Sequence, residues 1–209
     1  MSSVLVLGAA GRTGRLVVTH AVALGHEATA GVRTPEGFDP AGVDPGIGRI
    51  TVARVDVRDP ASVRAAAAGH DAVVCAVGPP GRRAEGLYSA TANAVVAARA
   101  ARVVVMSSAG VRHDDPGFAL WYRVAARTLL RELYDDMRRM EETLAAAGLD
   151  WTAVRPSRIH DGERPAAVRV EDGVVPAGGS RVHREDLAEF IARQVDDRRW
   201  SGAAPTLAE

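Results

Sequence analysis

The chain contains no lysine; all 26 of its basic residues are arginine. That absence removes a phosphate-binding-loop lysine, a Schiff-base lysine and a lysine general base from consideration. Cysteine is nearly absent too. Cys75 stands alone, so no internal disulfide can form, which fits a reducing compartment. Neither sign of charge is in excess, with 26 basic against 26 acidic residues. A nucleic-acid binder would show a basic surplus, so no nucleic-acid partner is expected. No apolar run is long enough to span a bilayer, and no membrane partner is expected. The run Val4–Leu7 is too short for a signal peptide and lacks a basic leader, so the expected location is cytoplasmic. Histidines stand at His20, His26, His70, His113, His160 and His183, never at a zinc-binding spacing, and no metal is expected.

What is present is a regular alternation. The 209 residues are 47% hydrophobic and 25% charged, enough for one α/β domain with a sizeable core. Strands are expected at Val4–Leu7, Glu27–Val32, Ile50–Val55, Ala72–Val77, Arg102–Ser107 and Trp151–Val154. Between them lie helical stretches at Thr13–Leu24, Pro60–Ala68 and Ala84–Ala101. A longer helical region, open to a break, covers Phe118–Ala147, with Gly148 as its C-cap. A proline- and glycine-rich loop fills Thr34–Gly48. Beyond Pro156 the alternation weakens to a strand at Ala167–Val170 and a helix at Arg184–Val195. This order predicts a Rossmann-like, doubly wound, mainly parallel sheet with helices on both faces. It is expected as one NAD(P)-binding domain over 1–209, with a small substrate-side portion from about Pro156.

The first strand runs into Gly8-Ala9-Ala10-Gly11-Arg12-Thr13-Gly14, which opens a helix. A tight turn, a backbone that meets a pyrophosphate and a helix packed close to its strand each favour a residue without a Cβ. The helix N-terminus adds free N–H groups and a positive dipole end. Gly8, Gly11, Arg12, Thr13 and Gly14 are therefore candidate cofactor contacts. The second strand ends in Gly31-Val32-Arg33, without the acid that binds a ribose 2′-hydroxyl in NAD sites. Arg33 suits a 2′-phosphate, which makes NADP(H) the expected cofactor. Arg12 can stack on adenine or pair with the same phosphate. Solvated surface arginines are the competing reading of both. Asp56-Val57 follows the third strand, where a carboxylate can accept from the adenine amine or simply cap the loop. Gly78 follows the fourth strand, where backbone can pass the adenosine ribose.

Ser107 and Ser108 end the fifth strand, on the edge where open parallel sheets bind ligands. A hydroxyl there can bond a nicotinamide amide or a substrate carbonyl, or serve only packing and capping. Tyr134 and Arg138 stand at helical i, i+4 spacing. A tyrosine–lysine pair at that spacing serves short-chain dehydrogenases as a proton relay. Arginine keeps the charge but not the shape, and a partly buried helix tyrosine is the alternative. Cys75, inside an apolar strand, reads as a small core residue.

These motifs resemble the atypical short-chain dehydrogenase/reductases, and within them the flavin reductase family that includes biliverdin reductase B. Besides the glycine turn, the resemblance rests on Asp71–Val74 with Gly78, on Val103–Ala109, on Asp135–Met140, on Ala147–Pro156 and on Ser180–Leu187. It covers nearly the whole chain. It implies an NADPH-dependent reductase of a small-molecule acceptor: a flavin or a similar planar conjugated compound such as a quinone or tetrapyrrole. It also implies that Ser108 lines the substrate site, that Arg33 binds phosphate, that Pro156 joins the cofactor contacts and that Arg158 faces the active site. Some relatives carry histidine where Arg158 stands. The catalytic candidates are thus Ser108, Tyr134 and Arg158, in a monomer or weak homodimer. Two other readings stay open: a non-enzymatic NADP(H)-sensing regulator, and a sugar-nucleotide epimerase-like enzyme using Tyr134.

Overall fold

A computed structural model describes residues 1–39, 49–81, 83–115, 117–118, 123–124, 128–164 and 167–209. The chain opens with β1 (Ser3–Leu7), α1 (Arg12–Ala23) and β2 (Glu27–Val32). It continues through β3 (Ile50–Arg54), α2 (Pro60–Ala67), β4 (Ala72–Cys75) and α3 (Leu87–Ala97). Then come β5 (Arg102–Met106), α4 (Arg131–Ala146) and β6 (Asp150–Pro156). The last part holds β7 (Arg158–His160), β8 (Arg169–Asp172), β9 (Arg181–His183), α5 (Arg184–Arg193) and β10 (Pro205–Ala208).

Eight strands form one sheet in the order β3-β2-β1-β4-β5-β6-β10-β8. Every pairing is parallel except that of β8 with β10. Strands β7 and β9 pair in parallel as a separate ribbon. The strands at the centre are apolar throughout because both of their faces are covered. Alternate residues feed opposite cores. Leu5, Leu7, Val73, Val103 and Val105 pack with α2, α3 and α4. Val4, Val6, Val74 and Val104 pack with α1 and α5. The expected doubly wound architecture is the observed one. From β1 the chain winds outward through β2 and β3, then returns to β4 on the other side of β1 and winds the opposite way. Ligands of such sheets bind where that reversal opens a crevice at the carboxyl ends of the strands.

Several element boundaries differ from expectation, each for a local reason. Helix α3 starts at Leu87 rather than Ala84, because Glu85 and Gly86 adopt left-handed backbone, with φ of 49° and 70°. It stops before Arg99, which is also left-handed at φ 53°. Strand β4 ends at Cys75, two residues short of Val77. Part of Phe118–Ala147 lies outside the described residues, and α4 proper starts at Arg131. Gly148 follows it at φ 67°, in the left-handed conformation expected of a C-cap glycine. The late strand lies at Arg169–Asp172 rather than Ala167–Val170. Strands β7, β9 and β10 have no counterpart in the sequence reading. They are three or four residues long, too short for a period-two pattern to stand out.

Candidate active site

A cleft of about 810 Å³ opens at the reversal point, and loops after β1, β2, β3 and β4 line it. The glycine turn forms its floor, and the three glycines of that turn answer three different demands. Gly8 has φ 79°, and a Cβ there would meet the Ala76 carbonyl oxygen at 2.8 Å. It therefore lets β1 and β4 end side by side. A Cβ on Gly14 would sit 2.2 Å from the Gly8 carbonyl oxygen, so this glycine allows α1 to pack onto the turn. Gly11 is different. It is the N-cap of α1 with ordinary extended backbone, and a Cβ there would find only the Gly8 oxygen at 3.2 Å and the Ala76 oxygen at 4.0 Å. The fold asks less of position 11 than of 8 or 14: the Gly8 oxygen would have to give by only a few tenths of an ångström. The first turn of α1 carries no acidic residue and the N-cap offers no side chain. Its N–H groups are left to an anion.

Six of the expected cofactor residues meet in this cleft: Gly8, Gly11, Arg33, Asp56, Val57 and Gly78. Arg33 is exposed at the end of β2. The nearest downstream acid, Glu36, is held by Arg54 at 2.7 Å and is not among the lining residues. Asp56 accepts from the Arg58 amide through one carboxylate oxygen, Oδ1, at 2.9 Å. That bond caps the turn and leaves Oδ2 for another donor. Two further arginines, Arg58 and Arg83, line the cleft as well. The sequence reading missed both, although Arg58 directly follows Asp56-Val57 in the same loop.

The remaining expected residues lie elsewhere. Arg12 is not among the lining residues and pairs with Asp161 at 2.6 Å. Arg184 meets the same carboxylate at 2.6 Å and donates to the Thr13 hydroxyl at 2.9 Å. Hydrogen bonding by Arg184, assisted by both positive charges, holds the Asp161 carboxyl below its usual range. Gly14 acts in packing, as described. Ser107 is buried, and its hydroxyl donates to Glu141 at 2.5 Å. Glu141 in turn takes Arg155 Nε at 3.0 Å and a second, shorter bond from the same guanidinium. Ser108 Oγ accepts from the Gly110 amide at 3.2 Å and caps a short turn, Ala109–Val111. Its own proton stays available for donation. Pro156 ends β6, buried, and Arg158 is exposed at the start of β7. None of these residues lines the cleft.

The tyrosine–arginine pair is covered by the turn after β5 and engaged by neighbours. Tyr134 is 7% exposed and its ring lies against Gly110, where a Cβ would come within 2.2 Å of it. Arg138 is engaged by Asp135 at 2.9 Å and by the Val111 carbonyl at 2.8 Å. Helical spacing put both residues on one face, and the 109–111 turn covers that face. Tyr88, close by in the same core, has its hydroxyl pushed up to about 12, chiefly by burial and then by Asp136 and Tyr134. Burial likewise pushes the Cys75 thiol up to about 12, as befits a core residue. Among the described residues, no cluster of three or more His, Cys, Asp or Glu side chains is arranged to hold a metal, and no helix is long and apolar enough to cross a membrane.

Known proteins bear on this geometry. A provisionally named exported protein from Burkholderia pseudomallei has 28% identity to this chain, with a TM-score of 0.78 over 100% of both chains. A provisionally named NAD-dependent epimerase/dehydratase from Bacillus halodurans has 25% identity and a TM-score of 0.75 over 100% of this chain and 94% of that one. A provisionally named NADH-flavin reductase from Streptococcus pneumoniae shares the fold at 20% identity, with a TM-score of 0.77 over 100% of both. A family model described as NAD(P)H-binding matches residues 8–198. The match begins at the first glycine of the turn and runs past α5, taking in every loop that lines the cleft. The chain therefore belongs to the NAD(P)H-binding family of Rossmann-fold proteins.

Proposed function

We propose that this chain is an NADPH-dependent reductase acting on a flavin or a similar planar conjugated acceptor. The observation that carries the cofactor choice is Arg33. It stands in the cleft where an NAD site places an acid, while the nearest downstream acid, Glu36, is taken up by Arg54. When bound, the nicotinamide supplies a hydride. The chain's own residues supply position and charge. The α1 N-terminus with Gly8 and Gly11 receives the pyrophosphate, Arg33 receives the 2′-phosphate, and Asp56 accepts from the adenine amine. Ser108 orients the acceptor with its free proton. The acceptor class is supported by the resemblance to flavin reductases and by the name of the S. pneumoniae neighbour. That name specifies NADH, so the choice of NADPH here turns on Arg33. Replacing Arg33 by alanine is expected to weaken NADPH by about ten- to a hundred-fold, the worth of a charge-assisted bond of about 1.5–3 kcal/mol. NADH should change little. Binding titrations with both cofactors test this, and equal losses would refute the NADPH assignment.

The burial of Tyr134 supports chemistry without a tyrosine proton relay and disfavours the epimerase-like reading. Conjugated acceptors can take hydride at a ring atom and a proton from solvent, so closeness and stacking suffice. Tyr134→Phe is expected to lower flavin turnover by less than about ten-fold, below the 10²–10⁴ typical of general acid catalysis. Ser108→Ala should cost more. Steady-state turnover of NADPH with free flavin checks both. A thousand-fold loss in Tyr134→Phe with cofactor binding intact would restore the tyrosine mechanism, and no turnover with any conjugated acceptor would favour a sensing role.

A further inference from the structure

Arg58 ties together two loops that the sequence keeps apart. It leaves the turn between β3 and α2, where its amide is held by Asp56 at 2.9 Å. Its guanidinium donates to the Glu85 carbonyl oxygen, also at 2.9 Å, in the loop between β4 and α3. Both residues line the cleft. The acceptor end of this bridge is itself held firmly. Glu85 keeps a left-handed φ of 49° although it is not glycine, a conformation that persists where the surroundings hold it. Here the holding group is Glu132 on α4, whose two carboxylate oxygens accept from the Ala84 and Glu85 amides at 2.9 Å each. The bridge thus runs from Asp56 through Arg58 to Glu85 and on to Glu132.

Its place in the cleft follows from the fold. The pyrophosphate belongs at the glycine turn after β1 and the adenosine ribose at the end of β2. On the proposed reading, in which Asp56 accepts from the adenine amine, the base lies between the Asp56-Val57 turn and the loop after β4, both of which line the cleft. Arg58 spans that gap. The guanidinium is tethered at one edge, by the Nη1 bond to the Glu85 carbonyl, on an exposed residue that lines the cleft, and a flat cation stacks well on an aromatic ring. We propose that Arg58 is a binding residue for the adenine base, forming one wall of its pocket and stacking on it. This rests on the family's binding of NAD(P)H and is independent of the choice between NADPH and NADH.

The test uses the full chain with Arg58→Ala and Arg58→Lys, titrated with 5′-AMP, NADH and NADPH. Arg58→Ala is expected to weaken all three by a similar factor of about ten, the range of a partly desolvated cation–ring contact. Arg58→Lys keeps a charged donor for the Glu85 carbonyl but has no plane. It should recover the melting temperature of the unmutated protein yet bind AMP about as weakly as the alanine variant. The loss of adenine absorbance at 260 nm that accompanies stacking should appear with the unmutated protein and vanish in both variants. Loss confined to NADPH would make Arg58 a phosphate ligand and overturn the proposal. So would unchanged AMP affinity in Arg58→Ala, or full recovery of affinity in Arg58→Lys. If Arg33→Ala failed to separate NADPH from NADH, the cofactor assignment would fall and this result would stand.

Discussion

A Gly11→Val variant is expected to fold and to lose its cofactor, whereas Gly14→Ala, a smaller change three residues on, is expected to lose stability. The two glycines belong to one motif but face different neighbours. A branched side chain at Gly11 projects into the cleft, where its nearest protein contact is an oxygen at 3.2 Å. It would cover the N–H groups at the start of α1, where the proposed site receives the pyrophosphate. Losing several charge-assisted bonds, each worth about 1.5–3 kcal/mol, removes measurable binding. At Gly14 the new methyl would lie 2.2 Å from the Gly8 carbonyl oxygen, and backbone there cannot swing aside. Helix and strand must separate, at or above the 1–3 kcal/mol typical of an overpacked core. Calorimetric titration with NADPH and thermal unfolding of both variants separate these outcomes. Unchanged affinity in Gly11→Val would show that the turn does not hold the phosphates. An unshifted melting temperature in Gly14→Ala would show that the close approach of α1 to β1 is not needed.

The second large effect is expected at Arg102, the bulkiest fully buried side chain, at 1% exposure. It opens β5, and its guanidinium makes four hydrogen bonds to three partners. Asp150 takes it at 2.8 Å, Thr152 Oγ1 at 2.7 Å and the Gln194 carbonyl at 2.9 and 3.1 Å. One buried cation thereby joins β5, β6 and the end of α5. Burial pulls its proton affinity below the ordinary arginine value, and Asp150 acts against that pull. Arg102→Ala leaves the Gln194 carbonyl without those donors and opens a cavity. Losing the buried stem and leaving that carbonyl unpaired costs about 2–5 kcal/mol, or a fall in melting temperature of about 5–15 °C for a chain of this size. Cofactor affinity below the transition should hold, because Arg102 is at the amino end of β5 whereas the cleft opens at the carboxyl ends of the strands. A melting temperature within about a degree of the unmutated protein would contradict the role assigned to this network.

Much of the cleft lining was legible because its constraints are local. Gly8, Gly11 and Gly14 answer to backbone geometry within one turn. Arg33, Asp56 and Gly78 follow the ends of strands whose apolar runs mark them. The acceptor end was legible only as residue names. Ser107 was read as a cofactor contact, yet its hydroxyl belongs to Glu141, 34 residues away. Arg12 was read as a nucleotide contact, yet Asp161, 149 residues on, takes it. Arg58 was passed over because the group that gives it meaning, the Glu85 carbonyl, is 27 residues further along.

By itself the sequence determined the alternation of strands and helices, the doubly wound sheet and the glycine turn that opens α1. These follow from the side-chain period and from φ, ψ and Cβ demands that neighbours in the chain impose on one another. Tertiary structure alone decided which of the described arginines reach the cleft. It kept Arg33, Arg58 and Arg83 there, turned Arg12 to Asp161 and sank Arg102 into the core. A guanidinium sits at the end of a long flexible stem, so its partner is the nearest acceptor in space. That nearness is set by how the loops after β3, β4 and β7 come together around the sheet.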